Sequence, residues 1–194
     1  CIPSKALLHA AKVIAETKEM SGNGLAFAAP TVDLDALRGW KQSVVNRLTG
    51  GLSGLAKQRK VTTLVGTGKF TSPHMVEVTA ADGSISTVSF QQAIIAAGSE
   101  PVTLPFVPHD DPRVINSAGA LELDGIPERL LILGGGIIGL EMATVYYELG
   151  AKVSVVELLD QLIPGADADL VKPLTRWLSK RYQDIWVKTK VTNV

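Results

Sequence analysis

The chain has 194 residues, 46% hydrophobic and 20% charged, with 19 basic and 19 acidic side chains and no net charge. That balance is globular, sized for one large domain or two modest ones, and excludes a polycationic nucleic-acid binder. A single cysteine excludes a disulfide framework and suits a reducing, cytoplasmic setting, and no apolar run approaches the roughly 20 residues that cross a bilayer.

The cysteine is the first residue, Cys1, followed by Ile2-Pro3-Ser4-Lys5-Ala6-Leu7-Leu8. This reads as a helix already under way, with Pro3 in a first turn that does not need its N–H. Leu7, Leu8, Ala11, Ile14 and Ala15 recur at helical spacing, and Ser21-Gly22-Asn23-Gly24 supplies the stop near Met20. A thiol at a helix N-terminus, with Lys5 close by, is favoured as the thiolate. The other reading of Cys1 is a small buried apolar residue. The opening also reads as a chain interrupted within a redox motif.

A second helix starts after Asp33, a good N-cap. Leu34, Leu37, Val44, Val45, Leu48, Leu52 and Leu55 line one side, and Gly50, Gly51 and Gly54 are expected to weaken or bend it. From Val61 the texture is β. Residues 61–65, 75–79, 84–90 and 93–97 read as strands, with Ala81-Asp82-Gly83-Ser84 as a hairpin turn. Pro101, Pro105, Pro108 and Pro112 then mark an extended crossover, placing a boundary near Arg113.

A β-α-β pattern follows. Leu130-Leu131-Ile132-Leu133 reads as a buried parallel strand, residues 136–149 as a helix stopped by Gly150, and 152–157 as the next strand. A helix capped by Asp167 or Asp169 reaches about Tyr182, and 185–191 form a last strand. Gly134-Gly135-Gly136-Ile137-Ile138-Gly139 fits G-x-G-x-x-G between strand and helix, the context that gives this pattern meaning. Gly134 permits the tight turn, Gly136 lets the backbone approach a pyrophosphate, and Gly139 lets the helix pack on the strand. Glu157, at the end of the next strand, suits an adenosine ribose 2′-hydroxyl and repels a 2′-phosphate, which favours NAD over NADP. A structural turn with a surface Glu is the alternative.

Four segments carry a resemblance: the Cys1 segment, Leu48-Thr49-Gly50-Gly51-Leu52, Ala93-Ile94-Ile95-Ala96-Ala97-Gly98-Ser99, and Gly134 through Glu141. Together they resemble the flavin-dependent pyridine-nucleotide disulfide oxidoreductases, the dihydrolipoamide dehydrogenases above all. The resemblance implies an α/β fold of the FAD/NAD(P)-binding three-layer (ββα) Rossmann-like type in two partial domains. Residues 1–113 would belong to the FAD domain and 114–194 to the NAD domain.

It also implies an enzyme that oxidises dihydrolipoamide with FAD and NAD. Cys1 matches the flavin-proximal cysteine of the redox pair. Lys5 matches the lysine beside the flavin, and Glu141 the acid paired with it near the nicotinamide, although by itself Glu141 reads as an exposed helical carboxylate. Gly68, Ala97, Gly98 and Ser99 match backbone against the flavin. The implied partner is a lipoyl domain on an acyltransferase core, and the full-length form a homodimer. Nothing points to a metal, and His9, His74 and His109 match no catalytic role. Alternatives are a glutathione or mercuric reductase, or a non-catalytic nucleotide-binding fragment; the isolated stretch is not expected to turn over.

Overall fold

The computed structural model describes all of residues 1–194. In chain order the elements are α1 (Ile2–Ser21), α2 (Leu34–Gln58), β1 (Thr67–Ser72), β2 (Met75–Thr79), β3 (Ile85–Ser89), α3 (Ser117–Glu122), β4 (Arg129–Leu133), α4 (Ile137–Glu148), β5 (Lys152–Val156), α5 (Ala168–Leu178) and β6 (Asp184–Trp186). Two compact units result: Cys1–Asn46 with Pro101–Val194, and Arg47–Glu100. The grouping is one of packing, because α1 lies against α4, and it does not follow the expected boundary near Arg113.

In the first unit, Cys1 is the N-cap of α1, and the Ser4 hydroxyl and Lys5 N–H both donate to its carbonyl at 3.1 Å. Leu7, Ala11 and Ile14 bury one face of that helix, at the expected spacing. Asp33 caps α2, its carboxylate accepting the Ala36 N–H at 2.9 Å. β4, β5 and β6 form a parallel sheet in that order, with Leu130 opposite Val153 and Val155 opposite Ile185. The core joins Leu7 and Ala11 to Leu140, Ala143 and Tyr146 of α4, Val153 and Val155 of β5, and Leu162.

Three expectations here need correction. The 130–133 strand is not buried throughout: Leu130 and Ile132 pack on the core, but Leu131 is 50% exposed, because successive residues face opposite sides of a strand. α5 stops at Leu178, short of Tyr182, and carries Pro173 in its second turn; its N-cap is Asp167. β6 has only three residues, shorter than the run at 185–191.

The second unit holds an antiparallel sheet ordered β1-β2-β3. The hairpin turn is where expected. Gly83 has φ +82°, and Asp82 accepts from the Ser84 N–H at 2.9 Å and hydroxyl at 2.7 Å, bonds that hold its carboxyl below the usual range. Two expected strands, 61–65 and 93–97, form no ladder. β-branched composition makes a strand only when a neighbouring strand takes its N–H and C=O groups, and no strand of the chain pairs with either run. Ile94 is 96% exposed as a result. α2 is not broken at Gly50, Gly51 or Gly54. Each glycine costs about 1 kcal/mol relative to alanine, too little to interrupt so long a ladder.

The α/β Rossmann-like class thus holds, carried by the parallel β4-α4-β5 unit. No helix is long and apolar enough to cross a membrane.

Candidate functional site

The turn from β4 into α4 is made by Gly134, Gly135 and Gly136. Gly134 has φ +107°, a conformation that favours glycine, and its N–H donates to the Val156 carbonyl at 2.8 Å. Gly136 is the N-cap of α4, with open space where a Cβ would stand and no side-chain cap over the helix. First-turn N–H groups have no partner inside a helix, so this end offers donors and the positive end of the dipole. The side chains of Ile137 and Ile138 are exposed beside it. Gly139 packs so closely that a Cβ there would collide with the Gly134 carbonyl oxygen and stand 3.1 Å from Ile132 Cγ2.

Gly135 is more constrained than the sequence pattern indicates. It is buried, and an added Cβ would lie 2.5 Å from Leu162 Cδ2 and 3.2 Å from Glu157 Cβ. Its N–H donates to Glu157 Oε2 at 2.8 Å, and its carbonyl accepts from the Ile163 N–H at 2.8 Å. Leu162 and Ile163 therefore belong to the site, although nothing in Leu158-Leu159-Asp160-Gln161-Leu162-Ile163 announces this locally. Glu157 follows β5 directly and is 7% exposed, not a surface residue. Its Oε1 accepts the Leu159 N–H at 2.7 Å.

The same end of α4 meets α1. Lys5 Nζ lies 2.5 Å from Glu141 Oε1, and Lys18 Nζ lies 2.9 Å from Glu148 Oε2. Early residues pair with early and late with late, so the two helices run in the same sense. Their N-termini, one bearing Cys1 and the other the glycine loop, share one end of the unit. Cys1 is exposed with a free thiol, so it is not a buried apolar side chain here. Glu141 is paired rather than a free surface carboxylate. With the Lys5 side chain 59% exposed, the pair adds at most about 1 kcal/mol to stability.

Behind α4, Tyr182 Oη lies 3.2 Å from Thr144 Oγ1, and burial pushes its phenol up to about 12. In the second unit, Gly68 lies in β1 with open space at its missing Cβ. Ala97, Gly98 and Ser99 lie outside regular elements, with Gly98 at φ +79°. His9, His74 and His109 are exposed.

A strand–glycine loop–helix turn with a carboxylate ending the next strand defines a dinucleotide-binding α/β protein. Residues 1–194 match the family model of the pyridine nucleotide-disulphide oxidoreductases, and the chain belongs to that family. Its members use FAD and NAD. All 194 residues align at 55% identity with the dihydrolipoyl dehydrogenase of Vibrio cholerae and at 54% with that of Haemophilus influenzae. The chain spans 40% of the length of each. Among solved structures, LpdA from Mycobacterium tuberculosis superimposes on the whole chain with a TM-score of 0.86 at 24% identity, over 43% of its own length. The HOCl-induced flavoprotein disulfide reductase RclA from Escherichia coli gives 0.75 at 26%, over 40% of its length.

Proposed function

We propose that this chain is part of a dihydrolipoyl dehydrogenase, which oxidises dihydrolipoamide to lipoamide with FAD as the bound flavin and NAD+ as the final acceptor. The observation that carries this is the Lys5–Glu141 pair. It joins the N-terminal part of the helix that begins at Cys1 to the N-terminal part of the helix that begins at the glycine loop. A thiol and a nicotinamide site at one end of one unit is the arrangement electron transfer between them requires.

In this reading Cys1 is the flavin-facing thiolate, favoured by the N-terminus of α1 and by Lys5. Glu141 accepts from Lys5 and fixes its ammonium group. The reading of Gly134 to Gly139 as a pyrophosphate cradle is supported by the positive φ of Gly134, the open space at Gly136 and the uncapped start of α4. Glu157 reads the adenosine ribose and repels a 2′-phosphate. Gly68, Ala97, Gly98 and Ser99 lie against the flavin, so that residues 1–113 serve FAD and 114–194 serve NAD. The chemistry a bound flavin supplies is two-electron transfer between thiols and nicotinamide. The chain has one cysteine, so the redox disulfide needs a second from outside these residues. The substrate is then the lipoyl domain of an acyltransferase core in a 2-oxoacid dehydrogenase complex, the active form a homodimer and the setting the cytoplasm.

The test is steady-state turnover by the full-length protein. Dihydrolipoamide-dependent reduction of NAD+ is expected. Reduction of glutathione disulfide by NADPH in its place would overturn the assignment in favour of a glutathione reductase.

A further inference from the structure

A carboxylate that only reads a ribose needs an oxygen facing the nucleotide and little else. Glu157 has more. It is 7% exposed, and both of its oxygens are engaged by main chain: Oε2 by the Gly135 N–H at 2.8 Å and Oε1 by the Leu159 N–H at 2.7 Å. Gly135 is the middle of the phosphate-binding turn. Its other faces are also held, the carbonyl by the Ile163 N–H at 2.8 Å and the Cα by Leu162, which is 1% exposed. The residue before it is tied to the end of β5, Gly134 N–H to Val156 carbonyl at 2.8 Å.

We infer that Glu157 is a positioning residue for the glycine loop as well as the ribose reader, so that one carboxylate couples ribose recognition to pyrophosphate binding. This rests on the nucleotide reading above. A buried ionised carboxylate is stable only when its lone pairs are used, and hydrogen bonds to it are roughly twice as strong as neutral ones. Each oxygen offers two acceptor directions, so a main-chain bond on each still leaves one for a ribose hydroxyl. The loop is thereby shaped before the nucleotide arrives, and the cost of ordering it is not charged against binding. Glutamine cannot substitute. It has one acceptor oxygen for two N–H donors, and its NH2 would face the other donor. Changing Glu157 to alter nucleotide preference therefore also loosens the pyrophosphate cradle.

The experiment removes the ribose contact from the nucleotide instead of from the protein. Binding of NAD+ and of its analogue lacking the adenosine 2′-hydroxyl is measured on the full-length protein, wild type and Glu157→Gln, with flavin absorbance and melting temperature as controls on folding. The inference expects E157Q to bind the deoxy analogue about tenfold or more weakly than wild type does, the loss expected of one charge-assisted hydrogen bond. Equal binding of the deoxy analogue by both proteins would overturn the inference and leave the nucleotide reading intact. Failure of wild type to bind NAD+ at all would overturn both. A measurement on the unaltered protein stands beside it, since it needs no folded variant. Without nucleotide, the Gly135 and Leu159 amides should resist hydrogen exchange, and exchange at the rate of an open loop would overturn the brace.

Discussion

The glycine loop at 134–139 and the stretch at 93–97 look alike in sequence, each a short apolar run beside glycine, yet they end differently. The loop is closed by its own neighbours: Gly134 on Val156, Gly135 on Glu157 and Ile163, Gly139 against Ile132. The other stretch has strand composition and no strand, with Ile94 and Ile95 at 96% and 74% exposure. Composition sets what a segment can become. Partners for its backbone groups decide whether it does, and only the loop finds them within a few dozen residues.

That contrast can be broken most severely at Gly139. Gly139→Ala drives a Cβ into the Gly134 carbonyl, where backbone cannot yield as a side-chain tip can. A loss of about 3 kcal/mol or more is expected in denaturant unfolding, with NAD+ binding abolished. Gly135→Ala meets a side chain, Leu162, so about 1–3 kcal/mol is expected. Removing that side chain as well, in Gly135→Ala with Leu162→Ala, should cost less than the sum of the single changes; strict additivity would show that the two do not touch.

Tyr146→Phe removes the hydroxyl that donates to the Ala120 carbonyl at 2.9 Å, and about 1 kcal/mol should go with it. Tyr182 supplies a pH test. Its phenol titrates near 10 when free and is pushed up to about 12 by burial in the folded state. Its contribution to stability is therefore complete below pH 10 and lost as the pH climbs through about 12, because only the unfolded chain ionises in that window. Tyr182→Phe should flatten that alkaline decline, read as unfolding midpoint against pH. The smallest effect belongs to Gly125→Ala, away from the site, which meets open space and should shift stability by no more than about 0.5 kcal/mol.

What was legible in the sequence is what short-range chemistry decides. Asp33 as a cap, Asp82-Gly83 as a turn and the glycine loop between strand and helix each depend on a few consecutive residues. α3 was not legible, because its stability comes from afar. Asn116 caps its start by accepting the Gly119 N–H at 2.9 Å, but its last carbonyls are taken by distant donors. Lys41 of α2 donates to Leu121, Arg38 of α2 to Leu123 and Tyr146 of α4 to Ala120. β1 has a related origin: Thr-Gly-Lys-Phe-Thr-Ser has little strand character of its own and becomes a strand by pairing with β2. Within the site, Glu157 and the three motif glycines could be picked out by spacing. The packing of Leu162 and Ile163 on Gly135 could not, since it depends on how the loop after β5 folds back.

The most direct test of the account is the binding of NAD+ against NADP+ to the full-length protein by calorimetry. A buried Glu157 with each oxygen accepting a main-chain N–H predicts that NAD+ binds and that NADP+ binds at least about tenfold more weakly, since each 1.4 kcal/mol of repulsion at the 2′-phosphate is a factor of ten. Equal or tighter binding of NADP+ would contradict it.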